Sequence, residues 1–144
     1  MKHATINTIV KDAVLAAMTE ALHALREASE CGVRYAETTA AENVDPLKRA
    51  ADAVRLDQHD PLTHLRIGHV VVALEDIAPH MAQSSRMRAT ADRLRVAALL
   101  LFSARRAADL EARLRDILDH ADSLTTYDAT TYPALNAIRK LARA

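Results

Sequence analysis

The sequence contains neither glycine nor proline between Ser85 and Ser123, and no other feature limits its fold as strongly. Glycine and proline commonly end helices, since glycine readily adopts left-handed backbone angles and proline lacks a backbone N–H. The chain of 144 residues holds two glycines and four prolines in all, so few positions can interrupt a helix. Alanine, leucine and arginine, which favour helices, are abundant. The sequence therefore predicts an all-α protein.

The length predicts a single domain over residues 1–144. Half of the residues are hydrophobic, which is enough for a chain of this length to bury a core. Aromatic residues make up 3%, so that core must be built from Ala, Leu, Val, Ile and Met. The helices described below are joined by short links, which predicts an antiparallel four- to five-helix bundle.

Three features predict a cytoplasmic protein that does not enter a membrane. No stretch reaches the roughly 18 consecutive apolar residues that a membrane-spanning helix needs. The N-terminal residues lack the apolar run of a signal peptide, and the single cysteine, Cys31, cannot form a disulfide within the chain. Arginine outnumbers lysine and alanine is abundant, a composition typical of GC-rich bacterial genomes.

The first helix is predicted to run from Thr5 or Asn7 to Cys31, with Gly32 as its stop. Apolar residues recur along it with the period of a helix. The residues predicted to share its core face are Ile6, Val10, Ala13, Val14, Ala17, Met18, Ala21, Leu25 and Ala28.

Two Asp-Pro pairs, Asp45-Pro46 and Asp60-Pro61, each predict the start of a helix. The aspartate can cap the first turn, and proline loses nothing at the first helical position because the N–H there has no partner. The second helix is therefore predicted over 46–57 and the third from Pro61 towards Pro79. Residues 33–44 fit either a frayed helix or a loop.

The stretch without glycine predicts one long helix over residues 85–123, with a bend or a later start near Thr90. Residues 94–104, LRVAALLLFSA, are apolar on nearly every side of a helix, which predicts full burial. Beyond them, the residues predicted to face the core are Ala107, Leu110, Leu114, Ile117, Leu118, Ala121 and Leu124. A last helix is predicted to begin at Pro133, with Leu135, Ile138 and Leu141 inward.

Histidines paired with acidic residues suggest metal binding, but none completes a ligand set. Glu20 and His23 have the Glu-x-x-His spacing of di-iron bundles, which require a second such motif and two further glutamates. His69, Asp76 and His80 fall within one arc of a helix. That arc fits hydrogen-bonded histidines of a core or dimer contact, and it also fits half of a ligand or metal site. The sequence predicts neither a metal nor a cofactor.

An arginine and a histidine near the end of the long helix have the chemistry that RNA cleavage needs. Arg115 precedes His120 by five residues, and Arg113, Asp116 and His120 lie within about 60° of one another on a regular helix. An arginine can neutralise a phosphate and the charge that develops on it. A histidine can move protons near neutral pH, and Asp116 can hold its tautomer.

The stretch RDILDH, Arg115 to His120, followed by a loop and a last helix, resembles the motif of HEPN domains. That motif is an arginine and a histidine separated by four to six residues, often with a polar residue directly after the arginine. The resemblance implies that Arg115 and His120 form a catalytic pair, with Asp116 as the polar partner and Arg113 as the arginine of the longer variant. It also implies a homodimer acting as a metal-independent ribonuclease in a toxin–antitoxin or defence system.

The charge distribution leaves two classes of function open. The net charge is zero, but residues 1–83 carry 8 Lys+Arg against 12 Asp+Glu, and residues 84–144 carry 11 against 7. A basic second half fits an RNA-associated protein, whereas helix surfaces are commonly charged for solubility alone. The alternative to a ribonuclease is a non-catalytic helical module that dimerises or binds a protein partner.

Overall fold

The computed structural model describes residues 6–58, 60–123 and 140–141. Its elements are α1 (Thr8–Ala28), α2 (Arg34–Arg55), α3 (Thr63–Ile77), a 3₁₀-helix (Ala78–His80) and α4 (Ser84–Ser123). No strand occurs among these residues, so the predicted all-α bundle is confirmed. The chain divides into two compact units, Thr5–Ala104 and Met1–Ala4 with Arg105–Ala144. Within the described residues, no helix is both long and apolar enough to cross a membrane.

The unit Thr5–Ala104 is a bundle of α1, α2, α3 and the first part of α4. Helix α2 packs between α1 and α3, and the first part of α4 closes the ring by contacting both α1 and α3. Near the end of α1, His23 lines the same cavity as Arg86 of α4, and near its start Ala13 lines the same groove as Leu100. Because residue numbers rise along α1 as they fall along α4, these two helices are antiparallel.

Helix α1 begins and ends close to the predicted positions. The side chain of Asn7 accepts a hydrogen bond from the N–H of Ile9 at 2.8 Å and so caps the first turn. After the last turn, Gly32 takes a φ of +86°, a conformation that glycine adopts at little cost. The predicted core positions Ile6, Val14, Met18, Ala21, Leu25 and Ala28 are buried, whereas Ala13 is exposed.

The start predicted for the second helix at Asp45-Pro46 is wrong. Helix α2 begins at Arg34, and Pro46 lies inside it. A proline there removes one hydrogen bond of the helix and costs about 3 kcal/mol in an isolated helix. The helix continues because its buried stripe extends across the proline: Ala36 and Ala40 lie before it, and Leu47 and Ala50 follow. Burial of that stripe outweighs the lost hydrogen bond.

The start predicted at Asp60-Pro61 is confirmed to within two residues. Helix α3 begins at Thr63, and the Asp60 carboxylate accepts a hydrogen bond from the N–H of Leu62 at 2.9 Å. At its other end α3 gives way at Ala78 to the 3₁₀-helix that contains Pro79, as the proline predicts.

Helix α4 covers the predicted range 85–123 but is more exposed than predicted. It begins at Ser84 rather than near Thr90 and runs for 40 residues. Residues 94–104 are not fully buried. A stripe of Met87, Ala91, Leu94, Ala97 and Leu101 packs into the core, while Val96, Leu99, Leu100 and Phe102 are exposed. The helices that contact α4 cover only one side of it, and apolar residues on the other side stay exposed.

In the unit that contains Arg105–Ala144, the predicted core positions divide in the same way. Leu118 and Ala121 are buried, whereas Leu110, Leu114 and Ile117 are about half exposed, and Ala107 is exposed. Lys140 and Leu141 are helical, and Leu141 is exposed rather than inward. Leu124 and the predicted helix start at Pro133, with Leu135 and Ile138, lie outside the described residues.

A bidentate ion pair joins α1 to α4. The Arg93 guanidinium donates from Nε to the Glu20 carboxylate at 2.9 Å and contacts its other oxygen through Nη2. The hydroxyl of Thr90, which is buried, lies 3.4 Å from the same carboxylate. Hydrogen bonding from Arg93 lowers the pKa of Glu20 below its ordinary value, against a smaller opposing effect of burial. The folded state therefore favours the ionised carboxylate.

The two glycines are expected to respond oppositely to substitution by alanine. Gly32→Ala should lower the free energy of unfolding by about 1 kcal/mol or more, since alanine is strained at positive φ. Gly68→Ala should raise it by about 1 kcal/mol, because the new methyl group meets no atom within 4 Å and alanine favours the helix. Urea unfolding of dilute protein measures both changes. Equal signs for the two variants would contradict the structure.

The ion pair of Glu20 should make stability fall in acid. A carboxylate with a lowered pKa stabilises the fold above its unfolded-state pKa, and the contribution disappears as the pH falls through the folded-state pKa. We expect Glu20→Gln to be less stable than the parent at neutral pH, with the difference shrinking below the ordinary glutamate pKa. Urea unfolding at a series of pH values measures it. Glu27→Gln, an exposed glutamate of the same helix, is the control. A difference that does not change with pH would refute the assignment.

Candidate functional site

The four residues predicted as a catalytic group all lie on the last three turns of α4. Arg113, Arg115, Asp116 and His120 are exposed, so solvent and solutes reach each of them. Because the helix continues to Ser123, the spacing places Arg113, Asp116 and His120 on one face. Arg115 points about 140° away from His120 on the same helix.

Arg115 already has an ion-pair partner. Its Nη2 donates to Oε1 of Glu111, one turn earlier, at 2.6 Å. Both side chains are more than 60% exposed, so solvent screens the pair and it contributes little to stability. A phosphate approaching Arg115 has to compete with a carboxylate, whereas Arg113 lies on the same helix face as His120, two turns earlier. Within one chain, therefore, Arg113 is the better-placed arginine.

The three residues that fall within one helical arc in the sequence, His69, Asp76 and His80, lie on the surface. All three are exposed, so the prediction of a hydrogen-bonded core histidine is wrong for them. His80 lies on the 3₁₀-helix rather than on α3, and its ring meets that of Tyr35 edge to face, with centroids 5.6 Å apart. The helical spacing that joined the three residues thus does not extend to His80.

Glu20 and His23 line a cavity of about 250 Å³ between α1 and the start of α4. Glu27, Arg86 and Thr90 lie around the same cavity, so its wall is mixed in polarity. Glu20 is bound to Arg93, which occupies the oxygens that a metal would need. Among the described residues, no three His, Cys, Asp or Glu side chains are grouped to hold a metal ion.

An apolar groove, which we call the alanine groove, lies between α1 and α4. It has a volume of about 450 Å³, and Glu20, Asp92 and Arg93 lie along its edge. The residues of its floor and walls are Ala13, Ala16 and Ala17 of α1 and Val96, Ala97 and Leu100 of α4. The groove offers contact area for an apolar ligand and few groups for chemistry.

A second apolar groove, which we call the Gly68 groove, lies between α3 and α4. It has a volume of about 410 Å³ and is lined by Gly68, Val71 and Val72 of α3 and Ala98, Leu99 and Phe102 of α4. At one end the rings of His64 and Phe102 meet edge to face, with centroids 5.4 Å apart. At the other end Arg95 binds Glu75 and also Asp92, the latter at 2.8 Å.

The apolar surface beside these grooves is the feature that the sequence prediction missed. Val96 and Leu99 are each 63% exposed, and Leu100 and Phe102 are 40% and 52% exposed. The signal was present in LRVAALLLFSA, since a helix of a small bundle cannot bury apolar residues on every side. Apolar residues that are left on the outside and adjacent to one another form a surface on which another protein can dock.

Comparisons with known proteins add no functional assignment. No protein-family model matches this sequence, and no curated protein or solved structure matches it either.

Proposed function

We propose that this protein is a cytoplasmic helical interaction module that binds another protein through the exposed apolar surface of α4. The observation that carries the proposal is the cluster of Val96, Leu99, Leu100 and Phe102, which are exposed within two turns of one helix. Covering apolar surface is favourable by about 25 cal/mol per Å². Exposed apolar residues that are scattered singly need no explanation, whereas adjacent ones indicate an interface.

The charged residues around this surface also support a protein partner. Arg93 is bound to Glu20, and Arg95 is bound to Glu75 and Asp92. A phosphate backbone is held chiefly by arginine and lysine side chains, and these two would first have to leave their carboxylates. What α4 offers at this point is apolar contact area bordered by neutralised pairs, which suits a protein surface better than RNA.

The proposal predicts that polar substitutions on α4 abolish partner binding. The tagged parent protein is expressed in its native cells together with an untagged copy and is then purified through the tag. A second protein should co-purify with it in fixed proportion. The Val96→Ser/Leu99→Ser/Leu100→Ser variant should no longer co-purify with that protein. Quantitative mass spectrometry of the purified complexes measures both. Leu56→Ser is the control, since Leu56 is 64% exposed but lies after α2. A parent protein that retains neither its own copy nor any other protein would exclude an interaction module.

A second candidate is a HEPN-like, metal-independent ribonuclease of a toxin–antitoxin or defence system. The accessibility of Arg113, Asp116 and His120 on one helix face favours it, since catalytic groups must reach the RNA. His120 would transfer protons, and an arginine would stabilise the charge on phosphate. Arg115 would act with His120 only across two chains, because the two side chains diverge on the same helix.

Ribonuclease activity has its own test. We expect the parent to cleave total cellular RNA in EDTA, and His120→Ala to lose at least about 100-fold of that activity because proton transfer is removed. Loss in Arg113→Ala would identify a pair within one chain, and loss in Arg115→Ala a pair shared by two chains. Arg106→Ala, another exposed arginine of α4, is the control. Absence of cleavage by folded parent protein would exclude the ribonuclease.

A further inference from the structure

The Gly68 groove contains a notch and a projecting side chain. A glycine inside a helix weakens it relative to alanine, yet a Cβ at Gly68 would meet no atom within 4 Å. The described chain therefore gives no steric reason for glycine at this position. Leu99, on the other wall of the groove, is 63% exposed and has most of its side chain uncovered.

Gly68 and Leu99 lie at the same height along the groove. Two contacts fix the relative positions of α3 and α4: His64 meets Phe102, and Glu75 meets Arg95. Residue numbers rise along α3 as they fall along α4, so the helices are antiparallel. Counting from His64 opposite Phe102, four residues along α3 reach Gly68, and the corresponding position on α4 is close to Leu99.

We infer that the Gly68 groove docks a second copy of this chain, with Leu99 of each copy seated over Gly68 of the other. This inference rests on the proposed function and identifies its partner. A two-fold axis that runs along the groove, parallel to the helices, places α3 of one copy over α4 of the other. Rotation about this axis does not shift residues along the helices, so each residue lies at the same height in both copies. The projecting Leu99 then meets the notch at Gly68 twice, once on each side of the axis.

The charges at one end of the groove fit the same arrangement. On α3, Asp76 follows the exposed Val72 by one turn and lies next to Glu75. On α4, Arg88 precedes Arg95 by seven residues and therefore lies on the same face. Since α3 of one copy lies over α4 of the other at equal height, Asp76 at the end of α3 faces the start of α4, where Arg88 lies. A two-fold axis perpendicular to the helices would instead set α3 of one copy against α3 of the other. Asp76 would then no longer face the arginines of α4.

The alanine groove lacks these features. Its α1 wall consists of residues that carry a Cβ, Ala13, Ala16 and Ala17, so it has no comparable notch. Val96 borders that groove and is as exposed as Leu99, at 63%. Substitution of Val96 therefore tests for an α4 interface that does not use the Gly68 contact.

Sedimentation equilibrium of the full chain, from low micromolar to high micromolar concentrations, tests the inference. We expect the parent to dimerise and Leu99→Ala to raise the dimer Kd by about tenfold, because the contact occurs twice. Gly68→Ala and the larger Gly68→Leu should raise the Kd progressively as the notch fills. Leu56→Ala, which truncates a side chain that is 64% exposed and lies after α2, outside the α4 surface, should leave it unchanged. Because Gly68→Ala stabilises the monomer, its weaker dimer cannot be attributed to unfolding.

Mixing two weak variants provides a sharper test. In a heterodimer of Gly68→Leu with Leu99→Ala, one contact is that of the parent, and in the other the larger side chain at position 68 meets the smaller one at position 99. The mixture should therefore form heterodimers more tightly than either variant dimerises alone. Recovery of this kind is expected from direct contact across the interface and not from damage to either fold.

The outcomes separate this inference from the proposed function. Suppose that the parent dimerises, that Val96→Ala weakens the dimer, and that Leu99→Ala and both Gly68 variants do not. This result would overturn the inference but would still support an interface on α4. A parent that stays monomeric at every concentration would also overturn it. In that case, capture of a different protein through Val96, Leu99 and Leu100 would keep the interaction module, and failure of both experiments would remove both proposals.

Discussion

Close packing of small side chains is the constraint on which the rest of this structure depends. Of the 27 buried apolar residues in the described part of the chain, 12 are alanine, and none is aromatic. Small side chains let helices approach closely, and each one removes less apolar surface from water than a leucine does. Such a core needs long, continuous helix faces to bury enough area. The near absence of glycine and proline supplies those faces.

This constraint explains both what the sequence predicted and where the prediction failed. The period of apolar residues located α1 and α3 closely, because Asn7, Gly32 and Asp60 mark their ends by local chemistry. At Pro46 the same local reasoning failed. The proline resembles a helix start, but Ala36 and Ala40 continue the buried stripe ahead of it, and burial on α1 and α3 depends on tertiary contacts. A local signal therefore identifies the end of a helix only where no buried stripe continues across that position.

The surface of α4 shows a different limit of sequence reasoning. Leu94 and Leu101 are buried, whereas Leu99 and Leu100, in the same apolar run, are exposed. Composition cannot distinguish a helix buried by its own chain from one that a partner covers, since both remove the same side chains from water. The distinction comes from the number of neighbouring helices, which is a property of the fold. The two grooves could not be predicted from the sequence either, because each is formed by a pair of helices that become neighbours only in the folded chain.

The charge asymmetry of the sequence takes on a different meaning in three dimensions. Residues 1–83 are acidic overall and residues 84–144 are basic, which by itself favours a nucleic-acid partner for the second half. In the structure, Glu20 of α1 and Glu75 of α3 bind Arg93 and Arg95 of α4. Exposed pairs of this kind add little stability, but they favour the pairing of α4 with these two helices over other arrangements. Part of the positive charge of α4 thus serves the assembly of the bundle, and the surface that remains between these pairs is apolar.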